Sequence, residues 1–363
     1  MGKRELLLIL GFIAVGAVVY QVSAPPADPS RPGFSFSGLL AHIQTVMKGE
    51  EIQAPIVLTA VVESRAGGGV PLSLKDYRGV LRVVAEDRED ISAELRATAF
   101  GLDEAAARAR AQQIALTLDE QADGIVVKLT QPKEGRRARF ELTLHIPEEQ
   151  AMELGLRSGE AELRGVSRVA LLDGRGKITI LDATHITGSF QGDLTVQQVD
   201  SVKVSVSRGD VRFDEVRGPL EIEAERADLT LNKLSGPVTL KIKHLTCKME
   251  DVDGPVKITS DHGHVELRDA RAPLIVEATE SEVIVMLAHP VETTITNTDG
   301  AIDVRVPKGG VKIDAATKDG AIRTTWNGPA FSSTERSQTF IAAQEHGGPL
   351  IKLRNEGGDI FIR

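Results

Sequence analysis

The segment Gly209-Asp210-Val211-Arg212-Phe213-Asp214-Glu215-Val216-Arg217-Gly218-Pro219-Leu220-Glu221-Ile222 returns 18 residues later as Ala227-Asp228-Leu229-Thr230-Leu231-Asn232-Lys233-Leu234-Ser235-Gly236-Pro237-Val238-Thr239-Leu240. The same spacing opens further copies at Leu245 and Gly263, so Gly218-Pro219, Gly236-Pro237, Gly254-Pro255 and Ala272-Pro273 fall at one place. Counting each copy from its first residue, apolar side chains stand at positions three, five, eight, twelve and fourteen. They are Val211, Phe213, Val216, Leu220 and Ile222 in one copy and Val265, Leu267, Ala270, Leu274 and Val276 in another. Alternation within each half means two short strands per repeat, separated by the Gly-Pro turn. Weaker copies begin near Gly159, Gly176 and Gly192 upstream, and near Ser281, Gly300 and Gly320 downstream. The run Gly358-Asp359-Ile360-Phe361-Ile362-Arg363 reads as one more repeat opening after an irregular insertion from about Ala330 to Pro349.

A unit of this size cannot bury its apolar face alone, whereas identical units stacked in register can. The expected fold is all-β: a parallel β-solenoid with coils of about 18 residues. It is preceded by a small β-rich region with one helix and by an N-terminal transmembrane helix. Roughly nine or ten coils at ~4.8 Å each give a rod about 45 Å long. Stacked Val, Leu, Ile and Ala suit such a core, which accounts for an aromatic content of only 4%.

The N-terminus reads as an address. Lys3 and Arg4 precede an uncharged apolar run from Leu6 to Val22, and cations beside such a run stay on the cytoplasmic side. About 17 residues is the lower edge of a helical span, so both a signal peptide and an uncleaved anchor are open. Val22-Ser23-Ala24 resembles a cleavage site but is followed at once by Pro25 and Pro26, which favours the anchor. The expected organisation is an anchor over 1–24, a linker over 25–66, a β-rich cap region over 67–155 and the solenoid over 156–363. Within the cap region, residues 79–85, 91–97, 124–130 and 139–146 read as strands. Asp103 stands as the N-cap of a helix from Glu104 to Gln113.

Several side chains invite a chemical reading. Asp193, Asp210 and Asp228 take the second position of successive repeats and are candidate Ca²⁺ ligands. Their column continues as Thr246, His264, Glu282 and Ala301, and a Gly-Asp turn preference accounts for it more simply. His262 and His264 flank Gly263 as candidate metal ligands, or as plain turn residues. Cys247 stands at position three, equivalent to Val211, Leu229 and Val265, and so reads as core. Outward positions such as Arg212, Asp214, Glu221, Lys241, Lys257, Glu266 and Arg268 form a mixed solvated surface. No nucleophile motif and no cofactor-binding motif is present, and a net charge of −9 argues against nucleic acid as a partner. One cysteine cannot make an internal disulfide.

The order of strand pair, short Ala/Glu/Arg helix, two strands closing on Leu144-His145-Ile146-Pro147 and then Gly-Asp/Gly-Pro coils resembles the bacterial DUF4097 family, described as adhesins. The resemblance spans about residues 70 to 363. It implies the solenoid, with Gly192, Gly209, Gly218, Pro219, Gly236, Pro237, Gly254, Pro255, Gly263, Pro273, Gly300 and Gly320 as structural positions. It also implies an exported or membrane-tethered envelope protein, and it transfers no catalytic residue. The expected function is therefore non-catalytic: a single-pass cell-membrane protein with a cytoplasmic N-terminus. Its bulk would lie outside the cytoplasm, in the periplasm or at the cell surface, and bind an envelope protein or a glycan. The alternatives are a polysaccharide lyase or hydrolase on a β-helix, and a regulatory partner of an envelope-stress system.

Overall fold

The computed structural model describes residues 52–63, 70–130, 138–307, 309–326, 330–334, 336–343 and 347–363. The anchor, Lys3, Arg4 and Leu6 to Val22, lies outside the described residues. Among the described residues no helix is long and apolar enough to cross a membrane. Two compact units divide the chain: Met1–Ala54 with Thr98–Gln112, and Pro55–Ala97 with Gln113–Arg363.

In the first unit the helix α1 spans Glu104–Ala111. Asp103 is extended and its Oδ1 accepts the Ala106 N–H at 2.7 Å, which satisfies one of the donors a helix start leaves open. Glu104 pairs with Arg108 one turn on, at 2.5 Å. The predicted cap and helix start are both found.

The second unit is a solenoid of parallel strands in two ladders. One ladder stacks residues 194–199 on Gly209–Val216, Ala227–Leu234, Thr246–Val252, His264–Ala270, Glu282–Leu287 and Ile302–Arg305. The other stacks residues 202–206 on Leu220–Glu225, Val238–Lys243, Val256–Asp261, Leu274–Thr279 and Thr293–Asn297. The partners are the residues the repeat equates: Val211 with Leu229, Phe213 with Leu231, Leu220 with Val238. The inward columns are buried as expected, with Phe213, Leu220, Leu240 and Cys247 at 0% exposure. Each such aliphatic or aromatic side chain contributes about 1.5–3 kcal/mol of burial.

Inward positions five and eight are three residues apart, which breaks strict alternation. The residue at position seven explains the break. Glu215, Lys233, Asp251 and Asp269 all have left-handed backbone, with φ of 61°, 53°, 55° and 54°, and a residue so placed turns the strand and brings the next side chain back to the core.

Coil length decides where glycine is needed. Between Gly159, Gly176, Gly192 and Gly209 the coils are 17, 16 and 17 residues long by their numbering, and these glycines carry φ from 105° to 145°. The 18-residue coils shift the left-handed conformation one position earlier, onto Arg226, His244, His262 and Glu280. The glycine position is thereby relieved, and Ala227, Leu245 and Ser281 occupy it. Through the shorter coils Arg175–Val206 runs as one strand of 32 residues.

Upstream, the ladders extend to Leu72–Glu86, which pairs in parallel with Ala151–Arg164. The strand Ala138–Pro147 pairs in parallel with the other edge of Leu72–Glu86. A hairpin of Ala115–Gln121 and Gly124–Thr130, whose first strand the sequence did not reveal, belongs to the same unit.

The C-terminal coil departs from sequence order. Leu350–Asn355 lies between Thr293–Asn297 and Lys312–Thr317, parallel to both. Likewise Ile360–Ile362 lies between Ile302–Arg305 and Ile322–Thr324. The expectation that the terminal repeat follows the insertion therefore holds along the chain and fails in space. Apolar content explains the exchange. The inner slot is covered on both sides, and the terminal coil fills it with Ile351, Leu353, Ile360 and Ile362, all at 0% exposure. The coil it displaces outward offers Ile313, Ala315 and Ile322. That outer coil is covered in turn by Gln338–Ala343, antiparallel to Lys312–Thr317 and paired with Ala330–Ser333. The irregular insertion is thus a hairpin that covers one open edge.

Candidate interaction surface

The ladders turn alternate side chains outward, one per coil in each column. On the second ladder's outer face an open groove of about 550 Å³ is lined by Thr187, Lys203, Glu221, Glu223, Thr239 and Lys241, among others. Lys203 Nζ lies 2.8 Å from Glu221 Oε2, and Lys241 Nζ lies 2.7 Å from Glu223 Oε1. The hydrogen bond from Lys241 holds the Glu223 carboxyl below its ordinary range, and the one to Glu221 raises the Lys203 ammonium. All four side chains are more than half exposed, so these pairs order the surface and add little stability.

The first ladder's outer face carries a second open groove of about 500 Å³, lined by Arg212, Asp214, Thr230, Lys248, Glu266 and Arg268, among others. Asn232 Nδ2 donates to Asp214 Oδ1 at 3.0 Å, and Arg268 Nε donates to Glu266 Oε1 at 2.9 Å. The sequence had marked Arg212, Asp214, Glu221, Lys241, Glu266 and Arg268 as outward, and the structure gathers them into these two grooves. It had passed over Lys203, Glu223 and Thr239, although their columns follow from the same register. Lys257, also read as outward, is exposed on the second ladder opposite Thr239.

Both grooves are open troughs with both signs of charge, and aromatic rings contribute little to them. Phe190 and Phe213 point inward and are buried. Phe361 is the ring that reaches the surface of the terminal coil. The guanidinium groups of Arg323 and Arg363 stand 5.6 and 5.7 Å from its centre, two cation–π contacts on one ring.

Four of the candidate metal ligands, Asp193, Asp228, His262 and His264, are engaged otherwise. Asp193 Oδ1 accepts the Asp210 N–H at 3.0 Å, and Asp228 Oδ1 accepts the Thr246 N–H at 3.2 Å. The acidic column thus ties one coil to the next through backbone donors. His262 Nδ1 is 2.5 Å from Asp261 Oδ1 and its Nε2 is 2.7 Å from Glu280 Oε2. His264 Nδ1 is 2.9 Å from Glu282 Oε2. The hydrogen bond to Asp261 raises the His262 pKa above its ordinary value. Among the described residues no three His, Cys, Asp or Glu side chains converge as a metal ion would require.

Cys247 is fully buried, stacked between Leu229 and Val265, and burial pushes its thiol up to about 12. Thiolate is the reactive form. In the native full chain Cys247 is therefore expected to resist iodoacetamide over hours and to alkylate promptly in urea. Mass spectrometry of the tryptic peptide reads both, and rapid native labelling would contradict its place in the core.

The chain matches no curated protein. Among solved structures it is similar to an inferred cell adhesion protein of Clostridium sporogenes, with 13% identity, a TM-score of 0.23, and coverage of 85% of this chain and 99% of that one. A structure described as an inferred lipid-binding protein of Parabacteroides distasonis shows 11% identity and a TM-score of 0.33 over 85% and 96% of the two chains. An inferred adhesin of Bacteroides fragilis shows 9% identity and a TM-score of 0.25 over 85% and 97%. These likenesses are weak, and the assignment rests on sequence. The profile described as Toastrack DUF4097 matches residues 79–363, most of the solenoid-bearing chain, and the protein belongs to that family.

Proposed function

We propose that the protein is a membrane-anchored envelope protein that presents its solenoid for non-catalytic binding of another protein or a glycan. The observation that carries this reading is the pair of open outward grooves, whose polar side chains recur once per coil. Such a row suits an extended ligand with its own repeat, such as a strand or a glycan chain. An enclosed cavity with convergent groups, the usual form of a catalytic pocket, differs from both grooves. The cations Lys3 and Arg4 before the apolar run Leu6 to Val22 support an anchor with the solenoid outside the cytoplasm. Family membership and the adhesion and binding roles inferred for similar structures agree with a binding protein.

The test is capture of envelope proteins and glycans by the detergent-solubilised full chain, compared with a Lys203→Glu, Lys241→Glu variant. Reversing both cations of the groove is expected to lower capture by about tenfold with unchanged thermal melting. Equal capture by the variant would remove this groove from the binding surface. Release of new reducing or unsaturated ends from acidic glycans would replace the binding reading with an enzymatic one.

A further inference from the structure

We infer that a notch at one corner of the early coils, floored by Gly155, is a binding site for a single acidic sugar unit. The inference deepens the glycan half of the proposed function, on which it rests, and places the contact away from both grooves.

The notch comes from a difference in corner length between neighbouring coils. Leu74 and Tyr77 pair with Leu154 and Leu156, so Lys75 and Asp76 on one strand face Gly155 alone on the next. Asp76 is left-handed, with φ of 54°, where this pairing is bulged. On the other side Leu171 and Leu172 pair with Leu154 and Gly155. A Cβ on Gly174 would meet Leu156 O at 2.4 Å, so Gly174 stacks on Leu156 and Asp173 is again one residue more. The middle coil is therefore recessed, and an open notch of about 490 Å³ remains between its neighbours.

Gly155 keeps the floor clear. Among the described glycines it alone has neither a left-handed backbone nor a close neighbour. An added Cβ would meet Asp76 N and Lys75 Cα at 3.5 Å and Leu172 Cβ at 3.6 Å, all ordinary contacts. The fold does not require glycine here, and every atom that a side chain at 155 would first touch belongs to the notch.

The polar lining is uncommitted. Among the described residues the side chains of Arg157, Asp76 and Asp173 have no hydrogen-bond or ion-pair partner. Arg175 Nε donates to the neutral Gln191 at 3.0 Å, and Lys75 stands 3.9 Å from Glu153. In the groove at Lys203, by contrast, all four charged side chains are paired.

Cations and carboxylates around one small space suit a ligand with a single negative charge and several hydroxyls. The guanidinium groups of Arg157 and Arg175 match a planar carboxylate. Asp76 and Asp173 would accept hydroxyl hydrogens and would repel a ligand of many charges. Leu172 and the bare backbone of Gly155 leave room for the C–H face of a ring. A peptide strand would need a free backbone edge, and the ladder uses both edges of the middle coil.

Saturation-transfer NMR on the detergent-solubilised full chain tests this with tri-galacturonate as the probe. It should bind about tenfold more tightly than neutral maltotriose or tri-glutamate. Gly155→Leu should abolish binding, and Arg157→Gln should weaken it about tenfold with unchanged melting. Should Gly155→Leu lower the melting temperature, Arg157→Gln decides alone. The Asp76→Asn, Asp173→Asn double variant should also weaken binding, whereas a site that reads charge alone would bind more tightly. No binding of tri-galacturonate, equal binding of either control, wild-type affinity in Arg157→Gln, or tighter binding by the double variant overturns the inference. The Lys203→Glu, Lys241→Glu variant should bind tri-galacturonate as the wild type does. Loss of binding there overturns the notch and moves the sugar to the groove, which leaves the proposed function standing.

Discussion

Truncation after Pro349 is expected to melt residues 312–343 as well as to remove residues 350–363. Lys312–Thr317 loses its parallel neighbour Leu350–Asn355, and Ile322–Thr324 loses Ile360–Ile362. The outer coil would have to fall back on residues 293–305, where Ala315 would replace Leu353 and leave a cavity at the centre of the core. Hydrogen exchange on the full and truncated chains reads this directly. Protection should fall on the order of 100-fold across 312–343 and stay unchanged from 209 to 270, because stacked coils couple mainly to their neighbours. Retained protection over 312–324 would mean that this coil restacks unaided, and the slot would lose its specificity for the terminal segment.

Gly236→Ala is expected to be among the most damaging single-methyl changes in the chain. A Cβ on Gly236 would lie 2.2 Å from Gly218 O and 2.3 Å from Gly218 C, both backbone atoms of the coil below. No rotamer relieves such a contact, so the coils must part locally. Separation would lengthen ladder bonds such as Leu220 N–H to Pro237 O at 2.9 Å. A cost of about 3 kcal/mol is expected in urea unfolding, at the upper end of ordinary overpacking. In the same column Ala272 already carries a methyl group, and Ala272→Gly should change stability by no more than about 1 kcal/mol. Equal stability of Gly236→Ala and wild type would show that coil spacing is looser than the ladder bonds imply.

The solenoid was legible because its signal is redundant. Val211, Leu229, Cys247 and Val265 report one column four times, and a lone cysteine was placed in the core on that ground alone. Residues 79–85 were legible as a strand and hidden as part of a coil, since residues 90–147 separate them from their partner Ala151–Arg164. The order of the last coils was not legible. Residues 297–304, 317–324 and 355–362 are variants of one strand-Gly-strand pattern, and Leu353 against Ala315 and Ile362 against Thr324 distinguish inner from outer. The left-handed residues at position seven were hidden for another reason: Glu215, Lys233, Asp251 and Asp269 share a backbone conformation, while the charge they also share is common to other outward positions. The acidic column was visible, but its cause was not, because acceptance of the Asp210 and Thr246 N–H groups depends on coil-to-coil geometry. The grooves were half legible, since register names the outward columns and only the stacking shows which of them face a common trough.

Pulsed electron–electron distance measurement on the full chain tests the stacked arrangement most directly. A fixed spin label at Arg212 is paired in turn with labels at Ile284, Asp303, Phe361 and Arg323, which succeed one another in a single outward column. Stacking predicts that the distance grows by about 4.8 Å at each step, so Phe361 is nearer to Arg212 than Arg323 is, although it comes later in the sequence. Distances that do not rise stepwise from Ile284 to Asp303, or an Arg323 label closer than the Phe361 label, would contradict it.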